Sequence, residues 1–179
     1  NNICQVLEKE KILFVGRLER KQKRPMLLLK AFNEIKNKIP NWTLDFVGDG
    51  AEKSIMEDFI KKNDLMTKVK IFNTNKNINN FYKNSSIFIT TSLWEGFPNS
   101  LTEAMHHGLA CIGSNDSIAI KNLLDKDCGW LIYNFEENSF GQEIIKCIIN
   151  KDERLEKGIN ARNKINEYRS EKIFKLWEN

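Results

Sequence analysis

The sequence predicts an α/β fold: a parallel sheet of about six short strands flanked by helices. Three observations predict it. Six short apolar runs alternate along the chain with amphipathic, helix-periodic segments, the pattern of a doubly wound sheet. The runs are almost continuously apolar, as strands buried on both faces are. Four of the turns that follow them, at Arg17, Gly48, Glu95 and Ser114, are polar or carry glycine. In a parallel sheet such turns gather on one rim, where open α/β sheets bind ligands.

The bulk properties agree with one domain over residues 1–179, with 1–10 as a leading segment. With 41% hydrophobic and 29% charged residues, the chain has enough apolar surface for a core and an ordinary polar exterior. The net charge of +4 permits an anionic ligand or a membrane surface and does not call for nucleic acid. No apolar run approaches the roughly 20 residues of a membrane span. The N-terminus, Asn1 to Lys11, is polar and charged, unlike a signal peptide, so a cytoplasmic location is expected. It has no initiator Met, which reads as a fragment or a processed chain. Cys4, Cys111, Cys128 and Cys147 form no C-x-x-C pair. They read as small residues in a reducing compartment, with no metal site expected.

Lys11 to Gly16 is the first buried strand. The loop from Arg17 to Arg24 then carries five basic side chains, Arg17, Arg20, Lys21, Lys23 and Arg24. At a strand's carboxyl end, before a helix, such a loop is placed to hold a diphosphate; a solvated basic loop is the plainer alternative. Pro25 opens a helix to Lys38 with Leu28, Ala31, Phe32 and Ile35 on one face. Trp42 to Val47 is the second strand, and Gly48-Asp49-Gly50 a tight turn in which Asp49 reads as a turn acid, with ligand binding as the alternative. Ala51 to Lys62 is helical with Ile55, Phe59 and Ile60 inward. Val69 to Phe72 is the third strand, followed by an Asn-rich loop from Asn73 to Asn80 and a short helix from Ile78 to Lys83. Ser86 to Thr90 is the fourth strand.

The site is organised around the next stretch, Ser92 to Gly108. Glu95 and Glu103 stand eight residues apart, with Gly96-Phe97-Pro98-Asn99-Ser100 between them. Pro98 suits the first positions of a helix, and Asn99 or Ser100 can cap it. A helix N-terminus offers free N–H groups and a positive dipole end, which suit phosphate. A carboxylate before that helix and another a turn inside it can accept hydrogen bonds from a polyol. Phosphate plus hydroxyls suggests a nucleotide sugar. Two ordinary helix-start acids, or the acid and nucleophile of a hydrolase, are the other readings.

Gly108 stops this helix. Leu109 to Ile112 is the fifth strand, with Gly113-Ser114-Asn115-Asp116 as its turn. Ile118 to Leu124 is helical, and Gly129 to Ile132 is the sixth strand. Two amphipathic helices, Phe140 to Ile149 and Glu153 to Tyr168, follow, and Ser170 caps a last one ending near Trp177. His106 and His107, the only histidines, read as packing or surface residues, and Trp130 and Trp177 as core or interdomain packing. The assembled pattern is a Rossmann-like domain.

Glu95-x7-Glu103 inside S-x-x-E-G-F-P-N-S-L-x-E-A-M-x-x-G resembles the signature of the retaining glycosyltransferases of group 1, the GT4 type. V-G-R-L followed by K-R-P-x-L-L-L-K-A-F resembles the family's opening, and L-D-F-V-G-D-G its second strand and G-x-G turn. The likeness runs from about Lys11 to the C-terminus. It implies the C-terminal, donor-binding half of a GT-B architecture, in which two Rossmann-like domains face a cleft. The acceptor, a glycan or lipid-linked sugar, would enter through a missing N-terminal domain, against which residues 170–179 would pack. Peripheral membrane association of the intact enzyme and a role in bacterial surface glycan synthesis follow from the same likeness.

The resemblance also implies residue roles. Arg17 and Lys23, with Lys21 as the alternative, would contact the diphosphate and stabilise the leaving group without a metal or other cofactor. Glu95 would face the donor sugar and Glu103 the ribose hydroxyls. Backbone from Gly96 through Phe97, Pro98, Asn99 and Ser100 to Leu101 would reach sugar or phosphate oxygens. Gly16 and Gly48 would line the nucleotide, and backbone around Phe72 and Asn73 would lie against the base. Arg24 stands where the family often has Gly, and Asn115 to Ile118 replaces its usual Gly-Gly-x-Pro. The Asn73–Asn80 loop has no Gly where the family often carries one. A non-catalytic nucleotide-sugar-binding module, or an epimerase or hydrolase of related architecture, is the alternative.

Overall fold

The computed structural model describes residues 8–73 and 77–177. Cys4, most of the leading segment, and Thr74 to Lys76 of the Asn-rich loop lie outside the described residues. Six strands form one parallel sheet: β1 (Lys11–Val15), β2 (Thr43–Val47), β3 (Val69–Phe72), β4 (Ile87–Thr90), β5 (Ala110–Ser114) and β6 (Gly129–Ile132). The helices are α1 (Pro25–Ile35), α2 (Lys53–Lys62), α3 (Ile78–Lys83), α4 (Asn99–His106), α5 (Ile118–Leu123), α6 (Glu137–Ile149) and α7 (Lys151–Trp177).

The strand order is β3-β2-β1-β4-β5-β6. From β1 the chain winds outward through β2 and β3, then returns to the other side of β1 for β4. The order therefore reverses between β1 and β4, and a crevice opens at their carboxyl ends. The register pairs Ile12 with Ile87 and Leu13 with Phe88, so β1 and β4 enter that crevice side by side.

Successive side chains of each strand serve opposite faces. On one face Ile12, Phe14, Phe46, Ile87 and Ile112 pack under α1, α2 and α6 through Phe32, Met56 and Phe140. On the other, Leu13, Phe88 and Cys111 pack under α3, α4, α5 and α7 through Tyr82, Leu101, Ile120 and Ala161. This double burial is why most of the strands read as nearly continuous apolar runs, while Lys70 of the edge strand β3 is exposed.

Several expectations are corrected. In α2 it is Met56 that is buried, beside Ile60, while Ile55 is exposed. The apolar residues at 55, 56, 59 and 60 fit either of two faces about one residue apart, and the sheet selects the one that holds Met56. Gly113 and Ser114 belong to β5, where they pair with Leu131 and Ile132, and not to a turn. No side chain caps α4; Pro98 occupies the N-cap position. The two terminal helices are one, unbroken through Ser170. Gly108, with φ 76°, ends α4 in the left-handed conformation that a helix-stopping glycine supplies.

Candidate functional site

The loops at the crevice are fastened to one another by backbone. Leu18 N–H donates to Asp49 O at 2.8 Å, and Gly48 N–H to Phe72 O at 2.9 Å. A Cβ on Gly48 would stand 1.9 Å from Gly16 O, so glycine is required there for the β1 and β2 turns to approach. Between these turns lies a cavity of about 460 Å³ lined by Gly16, Arg17, Gly48, Asp49 and Ile78 among others. Asp49 Oδ1 accepts the N–H of Gly50 at 2.9 Å, the work of a turn acid.

Across the switch point, the Lys23 ammonium pairs with Glu95 Oε1. Lys23 and Glu95 side chains are 15% and 8% exposed, so the pair is largely shielded from water. Lys21 is exposed, its backbone N–H donating to Glu19 Oε2 at 3.1 Å. Gln22 lies between the two arms of the crevice. It accepts from Arg17 Nη2 at 3.2 Å, donates to Trp94 O at 3.0 Å, and has Glu95 Oε2 at 3.5 Å. Its own carbonyl accepts the N–H of Leu93 at 2.8 Å.

Gly96 sits in open space, so nothing there forces a glycine. Phe97 is exposed, Leu101 is in the core, and Asn99 to Leu101 form the first turn of α4, uncapped and directed at the rim. Glu103, one turn further, receives the Tyr82 hydroxyl on Oε2 at 2.8 Å. Burial, and then Glu103 itself, push the Tyr82 hydroxyl's pKa far up, so it is a permanent donor. The Phe72 ring does not join this cavity. It lies edge-on to Phe81, 4.9 Å between centroids, and lines a second cavity with Asp45 and Asn80. Asn73 Oδ1 is held by the Lys53 ammonium.

Sequence reasoning missed Gln22 and Tyr82. A buried tyrosine must find a partner for its hydroxyl, and the Phe81-Tyr82 pair in a short amphipathic helix was the available signal. The histidines pack as expected: His107 stacks on the Tyr82 ring, 5.3 Å between centroids at 10°, and burial lowers its pKa.

The two departures at residues 24 and 115–118 prove to be one feature. Arg24 is in the left-handed conformation, φ 50° and ψ 49°, at the N-cap of α1. Its guanidinium donates to Thr91 O at 2.8 Å, Ser114 Oγ at 3.1 Å and Asp116 Oδ2 at 2.8 Å, and lies 4.9 Å over the Phe135 ring. One side chain thus ties together the loops after β1, β4, β5 and β6.

Among the described residues no group of three or more His, Cys, Asp or Glu side chains gathers as a metal site would require. Nor, among them, is any helix long and apolar enough to cross a membrane.

Comparison with known proteins agrees with this arrangement. The family model described as glycosyl transferases group 1 matches residues 5–164. An Escherichia coli protein named UDP-Gal:alpha-D-GlcNAc-diphosphoundecaprenol alpha-1,3-galactosyltransferase is 34% identical over 161 residues, 84% of this chain and 39% of that protein. TarM of S. aureus, crystallised with fondaparinux, alpha-GlcNAc-glycerol and UDP, superposes with a TM-score of 0.85 at 22% identity, over 96% of this chain and 35% of that one. A structure described as the C-terminal domain of a group 1 family glycosyl transferase, LpcC from Francisella tularensis, superposes almost end to end. It covers 93% of this chain and 92% of that one, with TM-score 0.78 and 18% identity. The chain spans about half the length of the curated relatives it matches. A doubly wound sheet, a cationic loop and a two-glutamate loop meeting at its switch point, and a family match over most of the sequence together place the chain in the group 1 glycosyltransferase family.

Proposed function

We propose that this chain is the donor-binding half of a retaining glycosyltransferase. The intact protein takes a nucleoside-diphosphate sugar, with UDP favoured, and passes its hexose or N-acetylhexosamine to an acceptor hydroxyl. The observation that carries the reading is the Lys23–Glu95 ion pair across the crevice between β1 and β4, to which Arg17 is joined through Gln22. A diphosphate there would take the Lys23 ammonium from Glu95 and leave that carboxylate to the sugar hydroxyls. Arg17 and Lys23 are fixed cations, set in place before charge develops on the departing diphosphate, and no metal is needed for that task. Glu103, held from below by Tyr82, would take the ribose hydroxyls. The cavity between the β1 and β2 turns would receive the nucleoside.

The acceptor is a glycan or lipid-linked sugar, met by the rest of the intact protein at the inner face of the cytoplasmic membrane. Its family and the E. coli relative named for a UDP-galactose donor and a diphosphoundecaprenol acceptor support that reading. Calorimetric titration with UDP and GDP tests the donor half of it. One of the two is expected to bind at or below the mM range, and Glu103→Ala to weaken it about tenfold or more, the worth of hydrogen bonds to a charged group. Absence of heat with both nucleotides would sink the reading.

A further inference from the structure

We propose that Tyr82 is a positioning residue for nucleoside recognition: its buried hydroxyl sets the Glu103 carboxylate that meets the ribose. This rests on the donor-binding reading and adds a residue that no sequence motif singled out. Tyr82 is fully buried on α3, and its ring is fixed on two sides, stacked on His107 and tilted against Phe88 at 6.2 Å. The hydroxyl therefore has little freedom, and it points at two acceptors on α4, Glu103 Oε2 at 2.8 Å and Ser100 O at 3.2 Å. A carboxylate in the middle of a helix would otherwise sample several rotamers. One charge-assisted hydrogen bond from a rigid phenol selects among them and leaves the second oxygen to a ligand.

The arrangement also joins two parts of the rim. Asn79, on the same short helix as Tyr82, meets His107 Nε2 through Oδ1 at 3.2 Å. Ile78, the first residue of that helix, lines the nucleoside cavity. α3 thus carries one wall of the cavity and the group that orients Glu103, so the two move together.

The test takes whichever of UDP and GDP binds, its 2′-deoxy analogue, and inorganic pyrophosphate, titrated into wild type, Tyr82→Phe, Glu103→Ala and the double variant. Tyr82→Phe keeps the ring and removes only the hydroxyl. It is expected to lower nucleotide affinity about tenfold and to shrink the preference for the ribonucleotide over its 2′-deoxy analogue. Pyrophosphate binding, which depends on Arg17 and Lys23, should stay within about twofold. The double variant should bind no more weakly than Glu103→Ala alone, because without the carboxylate the phenol has nothing to position.

Unchanged ribose discrimination in Tyr82→Phe, or losses that add in the double variant, would overturn the proposal while leaving the donor reading intact. Wild type that binds neither nucleotide overturns both. A second measurement needs no variant. The chain has three tyrosines, so 13C-labelled tyrosine gives a spectrum in which Tyr82 is readily assigned. Its ring-carbon signal should shift with nucleotide and not with pyrophosphate; an unmoved signal at saturating nucleotide counts against the proposal.

Discussion

Arg24 shows how a single residue can break a local rule and be retained by its surroundings. A non-glycine residue at φ 50° carries a strain of about 1 kcal/mol that glycine would not. Against it stand three hydrogen bonds from a half-buried guanidinium, one of them to a carboxylate, each worth about 1 kcal/mol or more net. The bonds win. Arg24→Gly should therefore lower stability by about 1–2 kcal/mol despite relieving the backbone. Arg24→Lys keeps the strain, lacks the planar fork, and should be at least as damaging. Thermal unfolding of both variants checks this, with a fall of about 2–8 °C expected for a chain of this size. A glycine variant more stable than wild type would show that the strain dominates. From sequence, Arg24 and Asp116 are two unrelated oddities 92 residues apart; only the parallel sheet, which brings the ends of β1 and β5 to one rim, turns them into a pair.

At the scale of elements, the strands were legible because burial on both faces leaves an apolar run closed by glycine or a polar turn. Helix faces were less so. In α2 a rotation of one residue exchanges Ile55 for Met56, and the sequence pattern does not choose between them. Ser170 looked like a cap, yet a serine can also sit inside a helix whose Lys, Glu and Arg neighbours favour it, and α7 runs on. The rim loops were legible through residue type and spacing, but side chains that reach between loops, Gln22 and Tyr82, were not. α7 is held to the turn after α5 by Lys164, which donates to Asp125 Oδ2 at 2.8 Å. That bond, with the Cys128 thiol and the Asp127 N–H, which lies 3.0 Å from Oδ1, brings the Asp125 pKa down to about 2. A carboxyl lowered in the folded state stabilises it above the unfolded pKa, and loses that contribution as pH falls from about 4 toward 2. The pair is exposed, so it is worth less than about 1 kcal/mol. Asp125→Asn should melt about 1–3 °C below wild type at pH 6, and the two curves should converge as the pH falls through that window. A gap that persists undiminished at the acid end would mean that packing of the turn, and not the charge, holds α7.

For the whole molecule, the exposed side chains Leu93, Trp94 and Phe97 flank the half-buried Glu95 on the open rim. Large apolar groups beside a ligand crevice mark a surface that is covered when the molecule works. On the proposed reading that cover is the acceptor-bearing half of the intact protein. Closing it would exclude water from the sugar carbon and hold the attacking hydroxyl on the face of the sugar from which the diphosphate leaves, as retention requires. Both conditions are absent when one half stands alone, and such positioning can be worth a factor of about 10³ or far more in rate. The isolated chain should therefore bind nucleotide while transferring sugar at least about 10³-fold more slowly than the intact protein. Incubation with a panel of labelled UDP- and GDP-sugars, with and without acceptor, and chromatography of the products measures this directly. If the isolated chain released free sugar from one donor, without acceptor, at a rate matching the intact protein, the crevice would already be a complete active site. Glu95 and Glu103 would then have to be reconsidered as the two carboxylates of a hydrolase.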